Sequence, residues 1–196
     1  MREVPTIYLI RHGETEWSLS GQHTGSTEIP LTAHGEQQAR ALGGHLRGIP
    51  FAAVLVSPRL RAQRTYELTG LDVPAQTDDD LAEWNYGSYE GLRSSDIEKR
   101  NPRWNLWTDG SPEGERPDEV AARADRVIGR LRASSGNLAV FSHGHFCCAL
   151  AVRWIALHVS AGQHFSLAPA SLSVLSVAEH HAAISVIKIW NSTFPT

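Results

Sequence analysis

Cysteine, lysine and long apolar runs are scarce in this chain, and each scarcity excludes something. The only cysteines, Cys147 and Cys148, are neighbours, so they cannot tie distant segments together. A disulfide-framed fold is excluded and a reducing compartment is expected. Lysine occurs twice against sixteen arginines, and 21 Asp and Glu outnumber 18 Lys and Arg for a net charge of -3. The basic excess of an electrostatically driven nucleic-acid binder is therefore missing. No run approaches the ~20 apolar residues of a membrane helix. The opening MREVPTIYLIRHGE offers an apolar stretch of about seven residues, too short for the core of a signal peptide. These absences predict a soluble cytoplasmic protein that engages neither nucleic acid nor membrane.

What is present describes a folded enzyme-sized chain. Its 196 residues are 41% hydrophobic and 20% charged, which excludes a disordered chain, a collagen and a coiled coil. A chain of this length buries roughly 70% of its unfolded surface, so one domain spanning 1–196 needs no disulfide or metal to hold its core. Val4 to Ile10 reads as a buried strand ending on Arg11-His12-Gly13. Thr32 is a predicted N-cap for a helix over 33–47, with Glu36 in its first turn. Ala52 to Val56 is a second buried strand stopped by Ser57-Pro58, and Leu60 to Thr69 carries a helical pattern ending at Gly70. Leu138 to Phe141 is a third buried strand, running into Ser142-His143-Gly144-His145 and an apolar helix over Phe146 to Leu157.

Residues 84–116 differ in composition: they hold Trp84, Trp104 and Trp107 among several Gly and Pro, with one short helix near 94–100. They are expected to form a cap inserted over one end of the core. The tryptophans either pack that cap or offer a stacking platform for a substrate. An amphipathic helix starts at Pro117, with Val120, Ala124, Val127 and Leu131 on one face and Arg123, Arg126 and Arg130 expected in solvent. Ser171 to Val177 and Ile184 to Trp190 close the chain as two strands, whose edges could pair in a homodimer. Strand and helix alternate through most of the chain, predicting an α/β three-layer sandwich with a mostly parallel sheet flanked by helices.

In such sheets ligands sit beyond the carboxyl ends of the strands. Three predicted strands end there on polar groups: Arg11-His12-Gly13, then Ser57 with Arg59 and Arg61, then His143-Gly144-His145. Guanidinium forks match phosphate oxygens, and helix N-termini offer backbone N–H groups. A histidine facing the phosphorus could attack it.

The run Arg11-His12-Gly13-Glu14-Thr15-Glu16-Trp17 resembles the signature of the histidine phosphatase superfamily. Ser57-Pro58-Arg59-Leu60-Arg61-Ala62-Gln63-Arg64-Thr65, Leu81-Ala82-Glu83-Trp84-Asn85-Tyr86-Gly87-Ser88-Tyr89-Glu90-Gly91 and Ser142-His143-Gly144-His145 resemble its later segments, in the family's order. The resemblance implies a phosphoglycerate mutase-like fold and a catalytic pair: His12 as the nucleophile that becomes phosphorylated, Glu83 as proton donor and then base. It implies a phosphate pocket of Arg11, Arg61, His143, Ser18 and Gly144. Neutral imidazole near pH 7 is a nucleophile without an external base, and fixed cationic donors stabilise charge on the transferring oxygens. The scheme requires no metal or other cofactor.

Arg59 and Arg64 compete with Arg61, and Glu14 and Glu90 with Glu83; position within the matching segments favours Arg61 and Glu83, the latter taken as ending a strand. His145 either lines the pocket or caps the next helix. A zinc site from His143, His145 and Cys147 is disfavoured, because their spacing straddles a strand end and a helix start. Many relatives have Asn at Ser18 and Arg at Gln22, whereas Thr24 and Gly25 keep the family's substrate-contacting pair. Mutases place Arg after the acid and carry a larger cap; here Trp84-Asn85 follows and the insertion is short. A phosphatase is therefore expected, hydrolysing a small phosphorylated metabolite such as a sugar phosphate or bisphosphate, with Gln22, Thr24, Gly25, Trp84, Tyr86 and His145 near the substrate. A phosphoglycerate mutase and a non-catalytic phospholigand-binding protein are the alternatives.

Overall fold

The computed structural model describes residues 5–196. In chain order the elements are β1 (Thr6–Arg11), α1 (Glu16–Ser20), α2 (Ala33–Leu46), β2 (Phe51–Val56), α3 (Leu60–Thr69), β3 (Ala75–Thr77), α4 (Ser94–Glu98), α5 (Leu106–Asp109), α6 (Pro117–Ala133), β4 (Asn137–Ser142), α7 (Gly144–Trp154), β5 (Leu172–Ala178) and β6 (His181–Ser192), with short 3₁₀ turns at Asp79–Leu81, Gly87–Tyr89 and Val159–His164. They build one six-stranded sheet in the order β3-β2-β4-β1-β5-β6. β3, β2, β4 and β1 run parallel, while β5 and β6 are antiparallel. The sheet is thus mostly parallel and flanked by helices, as the alternation of patterns predicted. Val4, where the first strand was expected to start, lies outside the described residues.

The central strands are apolar throughout because each buries both faces. Ile7, Leu9, Leu138 and Val140 face a cluster with α6 and α7, through Val120, Ala124, Val127, Phe146 and Leu150. Ile10, Ala139, Phe141, Val54 and Val56 face the opposite cluster with Leu42 and Leu46 of α2 and Ala62 of α3. Period-two alternation along β1 and β4 assigns one residue to each layer in turn.

Three short elements, β3, α1 and the four-residue α5, escaped the pattern. β3 is three residues long with only its first half-buried, too short to show alternation, and α1 is a single short helix that begins at the end of the segment read as a motif. α6 starts with Pro117 at N1 and Asp118 and Glu119 in its first turn, and ends with Arg130 and Arg132, complementing the helix dipole at both ends.

Residues 84–116 pack into the larger cluster: Trp84, Tyr86, Ile97, Trp104, Leu106 and Trp107 are buried with the α6 and α7 side chains. Trp84 and Trp107 meet edge to face with ring centres 5.4 Å apart. The indole N–H of Trp84 donates to the Glu115 carbonyl at 2.9 Å, and that of Trp104 to Gly110 at 2.8 Å. These rings pack rather than present a stacking platform.

Candidate active site

The register places three chain turns side by side, because β2, β4 and β1 are neighbours running the same way. Beyond their carboxyl ends stand Arg11 and His12 after β1, Ser57 and Arg61 after β2, and His143 after β4. The backbone N–H of His12 donates to the Ser142 carbonyl at 3.0 Å, and its carbonyl accepts from Ala170 at 3.0 Å. His12 is thereby fixed between the end of β4 and the approach to β5.

The His12 side chain is buried, and its Nδ1 lies 2.7 Å from the Gly13 carbonyl. A carbonyl only accepts, so Nδ1 carries the proton and Nε2 keeps its lone pair. Burial first, then the charges of Arg61 and Arg11, push the His12 pKa well below its ordinary 6.5. The ring is neutral at pH 7 and basic at one nitrogen. His143 stands beside it, ring centres 5.2 Å apart, with Nε2 2.6 Å from the Ser57 hydroxyl. Burial and Arg61 likewise lower the His143 pKa well below 6.5.

Arg61, in the first turn of α3, is wholly buried, and its terminal nitrogens donate to the carbonyls of Thr24, Gly25 and Thr27 at 2.9, 3.0 and 3.1 Å. Arg11 donates to the Leu167 carbonyl. It lies along the start of α7, where a Cβ on Gly144 would stand 3.4 Å from the guanidinium carbon; glycine leaves that approach open. Burial lowers the pKa of both arginines and Glu83 opposes the shift, which leaves guanidinium charged at any relevant pH. Arg11 Nε, Arg61 Nε, Arg59 Nε and His143 Nδ1 are buried polar atoms without a protein partner. Buried polar atoms left unmet cost free energy, and three of these four belong to guanidinium groups, which suit an anion.

Glu83 was expected to end a strand; it follows the 3₁₀ turn Asp79–Leu81 instead. Its position is set by the chain that meets it. One carboxylate oxygen accepts the N–H groups of Trp84 and Phe146 at 2.9 and 2.8 Å, and the other that of His145 at 3.1 Å. The first turn of α7 therefore aims the carboxylate into the cleft, as expected of an acidic group at a helix N-terminus.

The cleft has a volume of about 320 Å³ and is lined by Arg11, His12, Ser18, Gln22, Thr24, Glu83, Tyr86, Gly144 and His145, together with Trp17, His23, Cys148 and Phe165. Arg61, His143, Trp84 and Gly25 are not among its lining residues: Arg61, His143 and Trp84 are fully buried, and the Gly25 N–H is engaged by Glu90 at 2.9 Å. Ser18 lines the cleft, but its hydroxyl donates to the Thr15 carbonyl at 2.8 Å within the cap of α1. His145 both lines the cleft and begins α7, with Nδ1 2.6 Å from the Tyr86 hydroxyl. Burial, then Glu83, raises the Tyr86 pKa well above 10, so the phenol keeps its proton beside His145. The competitors are engaged elsewhere: Glu14 accepts from Thr32 at 2.7 Å, Arg64 pairs with Glu36 at 2.9 Å, and Glu90 holds Gly25 and Thr27.

Two contributors were not anticipated. Arg123, expected in solvent, is 8% exposed. It donates to the carbonyls of Asp80, Ala82 and Glu83 at 2.8, 2.6 and 3.3 Å, pairs with Glu115 at 2.8 Å, and stacks on Phe146 at 4.3 Å. Its helical position resembles that of the solvated arginines; only the folded Glu83 loop supplies these carbonyls. His23 packs against Tyr86 with ring centres 4.7 Å apart, and lies between Gln22 and Thr24, which line the cleft with it.

A family model described as the histidine phosphatase superfamily, branch 1, matches residues 7–190. The chain is 42% identical over 173 residues to an acid phosphatase of Mycobacterium tuberculosis, covering 86% of this chain and 84% of that protein. It is 35% identical over 188 residues to sedoheptulose 1,7-bisphosphatase of Saccharomyces cerevisiae, covering 79% and 69%. Among solved structures, an open reading frame product of Mycobacterium tuberculosis superposes with a TM-score of 0.88 at 37% identity, covering 96% of this chain and 97% of that one.

Proposed function

This chain belongs to the histidine phosphatase superfamily, and on that premise we propose that it hydrolyses a small phosphorylated metabolite, such as a sugar phosphate, through a phosphohistidine on His12. The observation that carries the proposal is the state of His12: neutral, with Nδ1–H tied to Gly13 and Nε2 free. Attack by Nε2 forms an N–P bond as the bond from phosphorus to the alcohol oxygen breaks, and Glu83 gives its proton to that oxygen. In the second half Glu83 takes a proton from water, the water oxygen attacks phosphorus, and the N–P bond breaks to release phosphate. Arg11, Arg61 and His143 surround the transferring group with donors, where charge spreads over the equatorial oxygens.

His12→Ala should lower phosphate release by on the order of 10³ or more, with the fold retained. Brief incubation of the wild-type protein with labelled substrate should trap an acid-labile phosphoryl adduct on His12, and the variant should trap none. Unchanged phosphate release by His12→Ala would overturn the assignment, as would efficient interconversion of phosphoglycerates with little phosphate released.

A further inference from the structure

The walls of the cleft beyond the reacting end specify the charge of the alcohol that leaves. Trp17, Gln22, His23, Ser94, His145 and Phe165 form those walls, and among the described residues lining the cleft Arg11 is the only arginine or lysine. Arg61 is turned onto backbone carbonyls, and Arg59 has the Glu28 carboxylate at 3.6 Å. Arg11 and Arg61 together balance one phosphoryl dianion. Gln22 cannot turn outward without cost: its Nε2 donates to the Gly91 carbonyl at 2.9 Å and its Oε1 accepts from Ser20 at 2.6 Å. Burial draws the pKa of both His23 and His145 down to about 4, so both rings are neutral at pH 7. His145 is held in place by the Tyr86 hydroxyl, 2.6 Å from its Nδ1.

A second anionic group entering this space would lose its hydration against aromatic walls and meet no cation in return, which is costly. A hydroxylated, uncharged alcohol meets aromatic faces and neutral polar side chains instead. Resting on the phosphatase reading above, we propose that the cleft selects phosphomonoesters whose leaving alcohol is uncharged, and disfavours the same alcohol bearing a carboxylate or a second phosphate.

Matched substrates test this. At neutral pH, kcat/KM should be at least ten-fold higher for glycerol 3-phosphate than for 3-phosphoglycerate, and for fructose 6-phosphate than for fructose 1,6-bisphosphate. Ten-fold is about 1.4 kcal/mol, and the difference should lie chiefly in KM. Gln22→Arg should narrow both gaps by improving the doubly anionic member. Arg93, exposed and bridged through its backbone to Gln22, is the control: Arg93→Ala should leave both ratios unchanged. Equal or higher kcat/KM for the charged members overturns the charge preference while leaving the phosphatase reading intact. So does an Arg93→Ala variant that selectively loses the charged members, since Arg93 would then supply the missing cation. Phosphate release from none of the four substrates, or release that survives His12→Ala, overturns the phosphatase reading and this inference with it.

Discussion

At the scale of single residues, the protein holds Glu83 from two sides. Backbone N–H groups of Trp84, His145 and Phe146 hold its carboxylate, while Arg123 grips the carbonyls of Ala82 and Glu83 and pairs with Glu115. Arg123 thus acts as a positioning residue through the loop it grips. Arg123→Met removes the charged partner of Glu115 and the donor to three carbonyls, and breaking a largely buried pair in this way costs about 3 kcal/mol. A fall in Tm of roughly 6–12 °C follows for a chain of this length. Loss of position should also lower kcat about ten-fold for alkyl phosphates, which need a proton on the leaving oxygen, with KM little changed. Turnover of p-nitrophenyl phosphate, whose leaving group needs no acid, should fall much less, and Arg123→Lys should recover part of the alkyl phosphate rate. Equal losses on both substrates would reduce Arg123 to a stabilising residue alone.

At the scale of elements, the close approach of α2 to α3 depends on a glycine. A Cβ on Gly43 would stand 2.2 Å from the Thr69 carbonyl oxygen at the end of α3, whereas one on the adjacent Gly44 meets nothing within 4 Å. The two positions separate packing from propensity within one helix. Gly43→Ala should destabilise by about 1–3 kcal/mol as the helices part. Gly44→Ala should stabilise by up to ~1 kcal/mol, because alanine loses less backbone freedom in a helix. Denaturant melts of the two variants check this, and a shift of the same sign in both would contradict the packing account. Because Arg61 lies in the first turn of α3, Gly43→Ala should also weaken phosphate binding while Gly44→Ala should not.

For the whole molecule, the buried histidines link stability to pH. Burial is the leading cause of the downward shift for His12, His143, His23 and His145, the last two to about 4. Between each folded pKa and the unfolded value near 6.5 the unfolded chain binds more protons, so stability rises with pH across that window and is lost as pH falls through it. Each such group adds a slope of up to about 1.4 kcal/mol per pH unit. Thermal midpoints should therefore be flat above pH 7 and drop between pH 6.5 and 4, and His23→Phe should flatten that drop. The same shift keeps His12 neutral below pH 6.5, so the acidic limb of kcat/KM attributable to His12 should lie below its ordinary value.

How much of this was legible beforehand depended on distance along the chain. β1, β2 and β4 were legible because strands buried on both faces must be apolar throughout, and their polar endings announced Arg11, His12, Arg61 and His143 together. α6 was legible from its period and its charged ends. β3 was not, being too short for any period, nor was the loop seat of Glu83, which depends on N–H groups some sixty residues further on. By itself the sequence determined the family, the layered α/β order and the chemical types gathered at the strand ends, since these follow from local pattern. Only the tertiary structure decided that Arg123 is buried as a clamp, that Trp84 packs away from the cleft and that Ser18 and Gln22 are tied to backbone. It alone decided that the cleft walls are neutral. Those properties belong to hydrogen bonds and burial between segments far apart in the chain, which no local pattern encodes.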